Sequence, residues 1–149
     1  MRVSKRCQYA LRALFELSLQ PDGRPMKIHQ IAGAQKVPPR FLEVILNELK
    51  HAGFVDSRRG SEGGYVLARP AKDLTVGEVI EYIQGPIYTP VADAAKHRNG
   101  ESLLGDYAFQ QLWRKVSDAV SGVWDNTTFA ELVEYEMAKK SSSALNYAI

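Results

Sequence analysis

The chain has 149 residues, of which 45% are hydrophobic and 24% are charged, with one cysteine. This size and composition are typical of one globular domain with its own core. No apolar run is long enough to span a membrane, and no signal-peptide pattern follows the basic N-terminus. A single cysteine excludes a disulfide framework or a cluster held by several thiolates, so we expect a cytoplasmic protein.

The charges are divided unevenly along the chain. Residues 1–69 hold 12 Lys and Arg against 6 Asp and Glu, whereas residues 70–149 hold 7 against 11. This asymmetry favours a front half that binds a polyanion, although chance on a small surface could give the same counts.

Three helices are predicted in the first third of the chain. Apolar residues recur at helical spacing over residues 4–19, 27–35 and 38–52. The third helix starts at two prolines, which suit a helix N-terminus, and it stops at Gly53.

Two short strands and a fourth helix come next. Residues 54–57 and 64–68 are predicted strands, joined by a glycine-bearing hairpin. The fourth helix covers residues 75–84, where Thr75 and Glu78 have the spacing of a capping box.

The remaining chain contains two more predicted helices. Residues 106–123 and 128–139 are helical in pattern. Residues 85–105 form a long loop, and residues 140–149, which begin with a serine spacer, are expected to be a flexible tail.

Three helices followed by a two-stranded wing predict a mainly α fold, a winged helix-turn-helix with a long dimerisation helix. Residues 1–84 then form the DNA-binding domain with its following helix, and residues 106–139 form the dimerisation helices. The third helix would enter the major groove of double-stranded DNA.

Five basic residues are candidate DNA contacts. Arg40 can reach base edges from the third helix, and Arg58 and Arg59 lie where a wing tip would meet the backbone or the minor groove. Lys5 and Arg6 could bind phosphates at the start of the first helix, or could simply be a solvated basic end.

The enzyme patterns that we considered are absent. His29, His51 and His97 do not have metal-ligand spacing, and no nucleophile elbow or phosphate-binding loop occurs. Cys7 lies on the apolar face of the first helix, which predicts a buried, inert thiol. We therefore expect no enzyme activity, no metal and no cofactor.

The fifth helix carries more apolar surface than one small domain can bury. Residues at intervals of four form its stripe, and a tryptophan flanks them. The predicted dimerisation residues are Leu112, Trp113, Val116, Val120 and Trp124. An exposed patch of that size marks an interface, so we expect a homodimer.

Several segments together resemble the Rrf2 family of transcriptional regulators, up to about residue 139. The segments that carry the resemblance are residues 9–14, 31–32, 41–43, 52–55, 59–60, 63–70, 75–80, 85–86, 112–114 and 126–132. The resemblance implies a homodimeric repressor or activator that reads a roughly palindromic site. It also implies that Arg59 and the stretch containing Phe41 and Glu43 lie near the bases.

The chain departs from the family pattern in its cysteines and in its third helix. Cluster-binding members place three cysteines in the loop before the fifth helix, whereas residues 93–105 contain none here. Tyr107 and Gln110 stand where the last of these cysteines and the histidine ligand fall, so the resemblance is to cluster-free members concerned with cysteine metabolism. Prolines replace a usual serine cap before Arg40, and Val44 replaces a common glutamine.

The last residues of the sequence, which include Tyr147 and Ile149, suggest a partner protein. They resemble C-terminal peptides, closing in isoleucine, that partner proteins insert into the active site of cysteine synthase. A merely frayed terminus is the alternative.

The sequence thus predicts a homodimeric, sequence-specific DNA-binding regulator, with a repressor of cysteine or sulfur metabolism favoured. The alternative function is a protein-interaction module that acts on cysteine synthase through its tail, with little specific DNA binding.

Overall fold

The structure, a computed structural model, describes residues 2–86, 100 and 102–148. Within that part, the chain is mainly helical with one antiparallel pair of strands, which confirms the predicted fold class. The elements are α1 (Lys5–Ser18), α2 (Ile28–Gln35), α3 (Pro39–His51), β1 (Val55–Arg58), β2 (Gly64–Leu67), α4 (Val76–Gln84), α5 (Asp106–Asn126) and α6 (Phe129–Tyr147). None of the described helices is both long enough and apolar enough to cross a membrane.

Side-chain caps fix where three of the helices begin. The Ser4 hydroxyl accepts a hydrogen bond from the Cys7 amide at the start of α1, and Thr128 accepts one from the Glu131 amide at the start of α6. Thr75 and Glu78 form the predicted capping box, because each side chain bonds the other residue's backbone amide. These caps satisfy amides that have no partner within the helix.

One hydrophobic core joins the N-terminal helices to the C-terminal part of the chain. Its fully buried side chains include Leu14, Ile31, Leu42, Leu46 and Phe129. The last of these is the first residue of α6, so the predicted dimerisation region contributes a side chain to the core of the predicted DNA-binding region.

Backbone contacts also tie the start of α4 to the start of α6. The Val76 amide donates to the Thr127 carbonyl at 2.9 Å, and the Phe129 amide donates to the Leu74 carbonyl at 3.0 Å. A Cβ at Gly77 would lie 3.0 Å from the Asp125 amide nitrogen and 3.1 Å from its Cα, so the glycine leaves room for the end of α5 to pack closely on α4.

The wing pairs β1 with β2 in a register that matches Val55 with Leu67 and Arg58 with Gly64. The Met26 and Tyr65 backbones add a single bridge on the outer side of β2, with hydrogen bonds of 3.0 and 2.8 Å. A Cβ at Gly64 would lie 2.5 Å from the Met26 carbonyl oxygen, so this glycine makes the bridge possible.

The C-terminal helix is longer than the sequence predicts. α6 continues through the serines at 141–143 to Tyr147, where a flexible spacer was expected. The Ser141 hydroxyl donates to the Met137 carbonyl, the local bond that lets a serine stay within a helix. Most of the predicted loop at 85–105, like Ile149, lies outside the described residues.

Candidate nucleic-acid interface

The third helix buries one side and presents the other to solvent. Leu42, Ile45, Leu46 and Leu49 fill the core and are at most 2% exposed. The opposite side carries five exposed residues: Arg40, Phe41, Glu43, Val44 and Asn47. This exposed side has the composition of a recognition helix, with one guanidinium, one carboxylate, one amide and two apolar groups.

Arg40 is held near the start of α3 by a contact with its neighbour. Its guanidinium carbon lies 4.7 Å from the centroid of the Phe41 ring, a cation–π distance. Recognition helices read bases mainly with their N-terminal residues, so Arg40 is suitably placed for a guanine edge.

Both wing arginines are exposed at the hairpin tip. Arg58 is the last residue of β1, and Arg59 begins the turn. Gly60, at a φ of +103°, and a 3.0 Å bond from the Gly63 amide to the Gly60 carbonyl close that turn. Glu62 lies exposed in the same tip and opposes the phosphates of DNA.

A hydrogen bond links α3 to β1 of the wing. The Lys50 ammonium group donates to the Ser57 hydroxyl at 2.5 Å. This bond brings the last turn of α3 and β1 together at one surface. Sequence reasoning did not identify this bond, because two exposed polar residues seven positions apart give no distinctive signal.

The two basic residues predicted as DNA contacts at the start of α1 have different surroundings in the structure. Both are exposed, but Arg6 forms an ion pair with Glu48 of α3, with its Nε atom 3.1 Å from the carboxylate. The hydrogen bond to Glu48 raises the pKa of Arg6. A phosphate contact by Lys5 stays a prediction, whereas the ion pair with Glu48 holds Arg6 against α3.

The fifth helix has no fully buried residue, and its apolar stripe is divided. Leu112, Trp113 and Val116 are exposed, but Val120 is half-buried and Trp124 packs against the core of its own chain. Steps of four residues drift by about 40° each around a helix, so Trp124 lies about 120° from Leu112. Leu112 and Trp124 therefore lie on different sides of α5, and their place in a dimer interface stays a prediction.

Comparison with known proteins adds relatives of established class. A family model, Rrf2, described as "Iron-dependent Transcriptional regulator", matches residues 3–135. A protein of Mycobacterium tuberculosis strain H37Rv named "Putative HTH-type transcriptional regulator Rv1287" is 34% identical over 139 residues, which cover 89% of this chain and 81% of that protein. The HTH-type transcriptional regulator CymR of Bacillus subtilis strain 168 is 33% identical over 137 residues, 91% of each chain.

A solved structure shows the same fold. That structure, of CymR, the global cysteine regulator of B. subtilis, aligns with a TM-score of 0.76 and 30% identity, covering 91% of this chain and 98% of that one. The relatives are transcriptional regulators and not enzymes, as the sequence predicts for this chain.

The family description names iron, but the donor atoms here do not fit a cysteine-ligated cluster. The one cysteine, Cys7, is fully buried, and burial raises its pKa to about 11, so the thiol stays protonated. Tyr107 and Gln110 are exposed on α5, and neither a phenol nor an amide replaces a thiolate or an imidazole as a soft iron ligand. Among the described residues, no three His, Cys, Asp or Glu side chains are grouped to hold a metal ion.

Proposed function

The chain belongs to the Rrf2 family of DNA-binding transcriptional regulators, and on that premise we propose that it is a homodimeric repressor that binds a roughly palindromic site. The observation that carries the proposal is the exposed side of α3, bonded through Lys50 and Ser57 to a wing that presents Arg58 and Arg59. A helix in the major groove with arginines beside it can both read bases and bind the backbone.

The proposed dimer follows from the exposed apolar part of α5. Leu112 is 47% and Val116 is 42% exposed, and they lie one turn apart on a long helix. A second copy of the same helix would cover them with a two-fold interface, and two-fold symmetry is the reason for a palindromic site.

The proposed target is a set of genes of cysteine or sulfur metabolism. Its support is the similarity to CymR, the global cysteine regulator of B. subtilis. A dimer bound over a promoter would repress by excluding RNA polymerase.

Footprinting of the purified protein across the genomic DNA of its source organism, followed by transcription in vitro, tests the palindromic site, the repression and the target genes. We expect a small set of protected palindromes upstream of sulfur-related genes, and transcription from those promoters in vitro should fall when the protein is added. Equal affinity for all sequences would contradict the DNA-reading role, and protection upstream of unrelated genes would contradict only the pathway.

A second candidate function uses the C-terminus. Every residue from 138 to 148 is exposed, and α6 ends at Tyr147, which is almost fully exposed. The last turn can unwind at small cost, since no buried contact holds it, and an unwound end could enter a pocket. The partner in this candidate is cysteine synthase.

Calorimetry with purified cysteine synthase tests this second candidate. The intact chain should bind and a variant without Ile149 should not, with O-acetylserine competing for the pocket. Equal binding by both chains, or binding by neither, would contradict a role for the tail and would leave DNA binding unaffected.

A further inference from the structure

Two exposed apolar side chains on the recognition helix have no role in the core. Val44 is 59% exposed and Phe41 is 46% exposed. Four leucine and isoleucine residues form the buried side of α3, so Phe41 and Val44 do not stabilise the fold by burial in the core. They are three positions apart, which places them on the same side of a helix.

Their surroundings point to nucleic acid as the partner. Phe41 and Val44 line a groove of about 530 Å³ together with Lys5, Arg6 and Tyr9. The Arg40 guanidinium lies over the Phe41 ring. Lys5 and Arg40 border this apolar surface with positive charge, while Arg6 is paired with Glu48. An apolar surface beside two such cations fits an apolar group on a polyanion.

The major groove of DNA contains one apolar group, the 5-methyl of thymine. Recognition helices contact it with small aliphatic or aromatic side chains. Resting on the proposed function, we propose that Val44 and Phe41 form a methyl-reading pair, so that each half-site contains thymine opposite the first two turns of α3. Arg40 and Glu43, on the same exposed side, would supply the polar contacts on either side of it.

The test begins by selecting bound duplexes from a random library with the full-length protein. Each thymine of the selected site is then replaced singly by deoxyuridine, which removes only the methyl group. We expect the affinity to fall about three- to tenfold at one or two neighbouring positions of each half-site, the loss of one or two buried methyl contacts. Thymines elsewhere in the site should tolerate the change.

Two variants assign the effect to Val44. Val44→Ala should reduce the sensitivity to deoxyuridine at its position to less than about twofold. Val44→Gln should instead select adenine there, because glutamine bonds the adenine edge. Leu145→Ala, which shortens an exposed apolar side chain of α6, is the matched control and should keep the wild-type sensitivity.

Three results would overturn the inference in distinguishable ways. An enriched site whose binding ignores every thymine methyl removes the methyl-reading pair but leaves the DNA-binding role intact. A Val44→Ala protein that changes its oligomeric state without DNA, and keeps full sensitivity to deoxyuridine, assigns this groove to a second copy of the chain. Failure to enrich any sequence contradicts the proposed function itself.

Discussion

At the tip of the wing, Arg59 is exposed and follows directly after β1. Because it lies outside the paired strands, its guanidinium can extend toward a groove of DNA. We predict that Arg59→Ala weakens binding to the selected site by roughly 1–3 kcal/mol, the size of one good groove contact. Titration of labelled duplex measures this loss, and unchanged affinity would show that the wing does not contact DNA.

Lys5 should contribute in a different way, because it carries a single charge at the start of α1 and no groove-reading shape. We predict that Lys5→Ala weakens specific and random duplexes alike and lowers the slope of log affinity against log salt by about one. Lys140→Ala, which removes a lysine from the exposed end of α6, is the matched control and should leave the slope unchanged. A loss confined to one DNA sequence would contradict a phosphate contact.

At the scale of the elements, the capping box of α4 makes the stability of the protein depend on pH. Burial alone would raise the pKa of Glu78, but bonds from the Thr75 amide and the Arg69 guanidinium outweigh it and lower that pKa. A lowered pKa in the folded state means that the contribution of Glu78 is present above its ordinary value of 4.5 and is lost as the pH falls through the folded value.

We therefore predict that Thr75→Ala lowers the free energy of unfolding by about 1 kcal/mol, the usual cost of a lost cap. Glu78→Gln should destabilise the protein at pH 7 and have less effect under acid conditions, where the wild-type carboxylate is also protonated. Urea denaturation at several pH values measures both effects. A Glu78→Gln cost that grows as the pH falls would contradict the sign of this pKa shift.

The helices and the wing could be predicted from the sequence because their signals are local. Apolar periodicity located α1 to α4 to within about two residues, and glycines located the hairpin. The bridge between Met26 and Tyr65 was not predicted, because a single bridging residue gives no alternating pattern in the sequence. The end of α6 was missed because a run of serines is typical of a spacer, although serines in a helix can bond to the carbonyl four residues earlier.

The exposed residues of α3 in the candidate site could be predicted because they lie opposite the apolar residues that the core buries. Once Leu42, Ile45, Leu46 and Leu49 are assigned to the core, Arg40 and its exposed neighbours must face outward. The ion pair between Arg6 and Glu48 was not predictable, because the two residues are 42 positions apart and meet only when α1 packs on α3.

For the whole molecule, the number and placement of thiols limit the chemistry. With Cys7 fully buried and no second cysteine, we predict a colourless protein when it is purified without oxygen. Absorption spectra and iron and sulfide analysis measure this. A brown sample with stoichiometric iron and sulfide would contradict the prediction and would require ligands other than cysteine.

The other property of the whole molecule is its assembly. The structure shows which of the predicted dimerisation residues of α5 are exposed. Leu112 and Val116 are exposed on α5, whereas Val120 and Trp124 are half-buried and Trp124 packs against the core of its own chain. Charges introduced at the exposed pair should therefore disrupt a dimer without disturbing the fold of the subunit. Charges introduced at Trp124 would instead destabilise the subunit itself.

We predict that Leu112→Asp combined with Val116→Asp gives a folded monomer. A dimer on a palindrome gains from two linked contacts, so the monomer should lose about 100-fold or more in affinity for the full site, while affinity for an isolated half-site changes little. Sedimentation measures the mass, and circular dichroism checks the fold. Leu145→Asp, a charge on an exposed apolar residue of α6, should remain dimeric. A wild-type chain that sediments as a monomer, or a double variant that stays dimeric, would show that α5 does not form the interface.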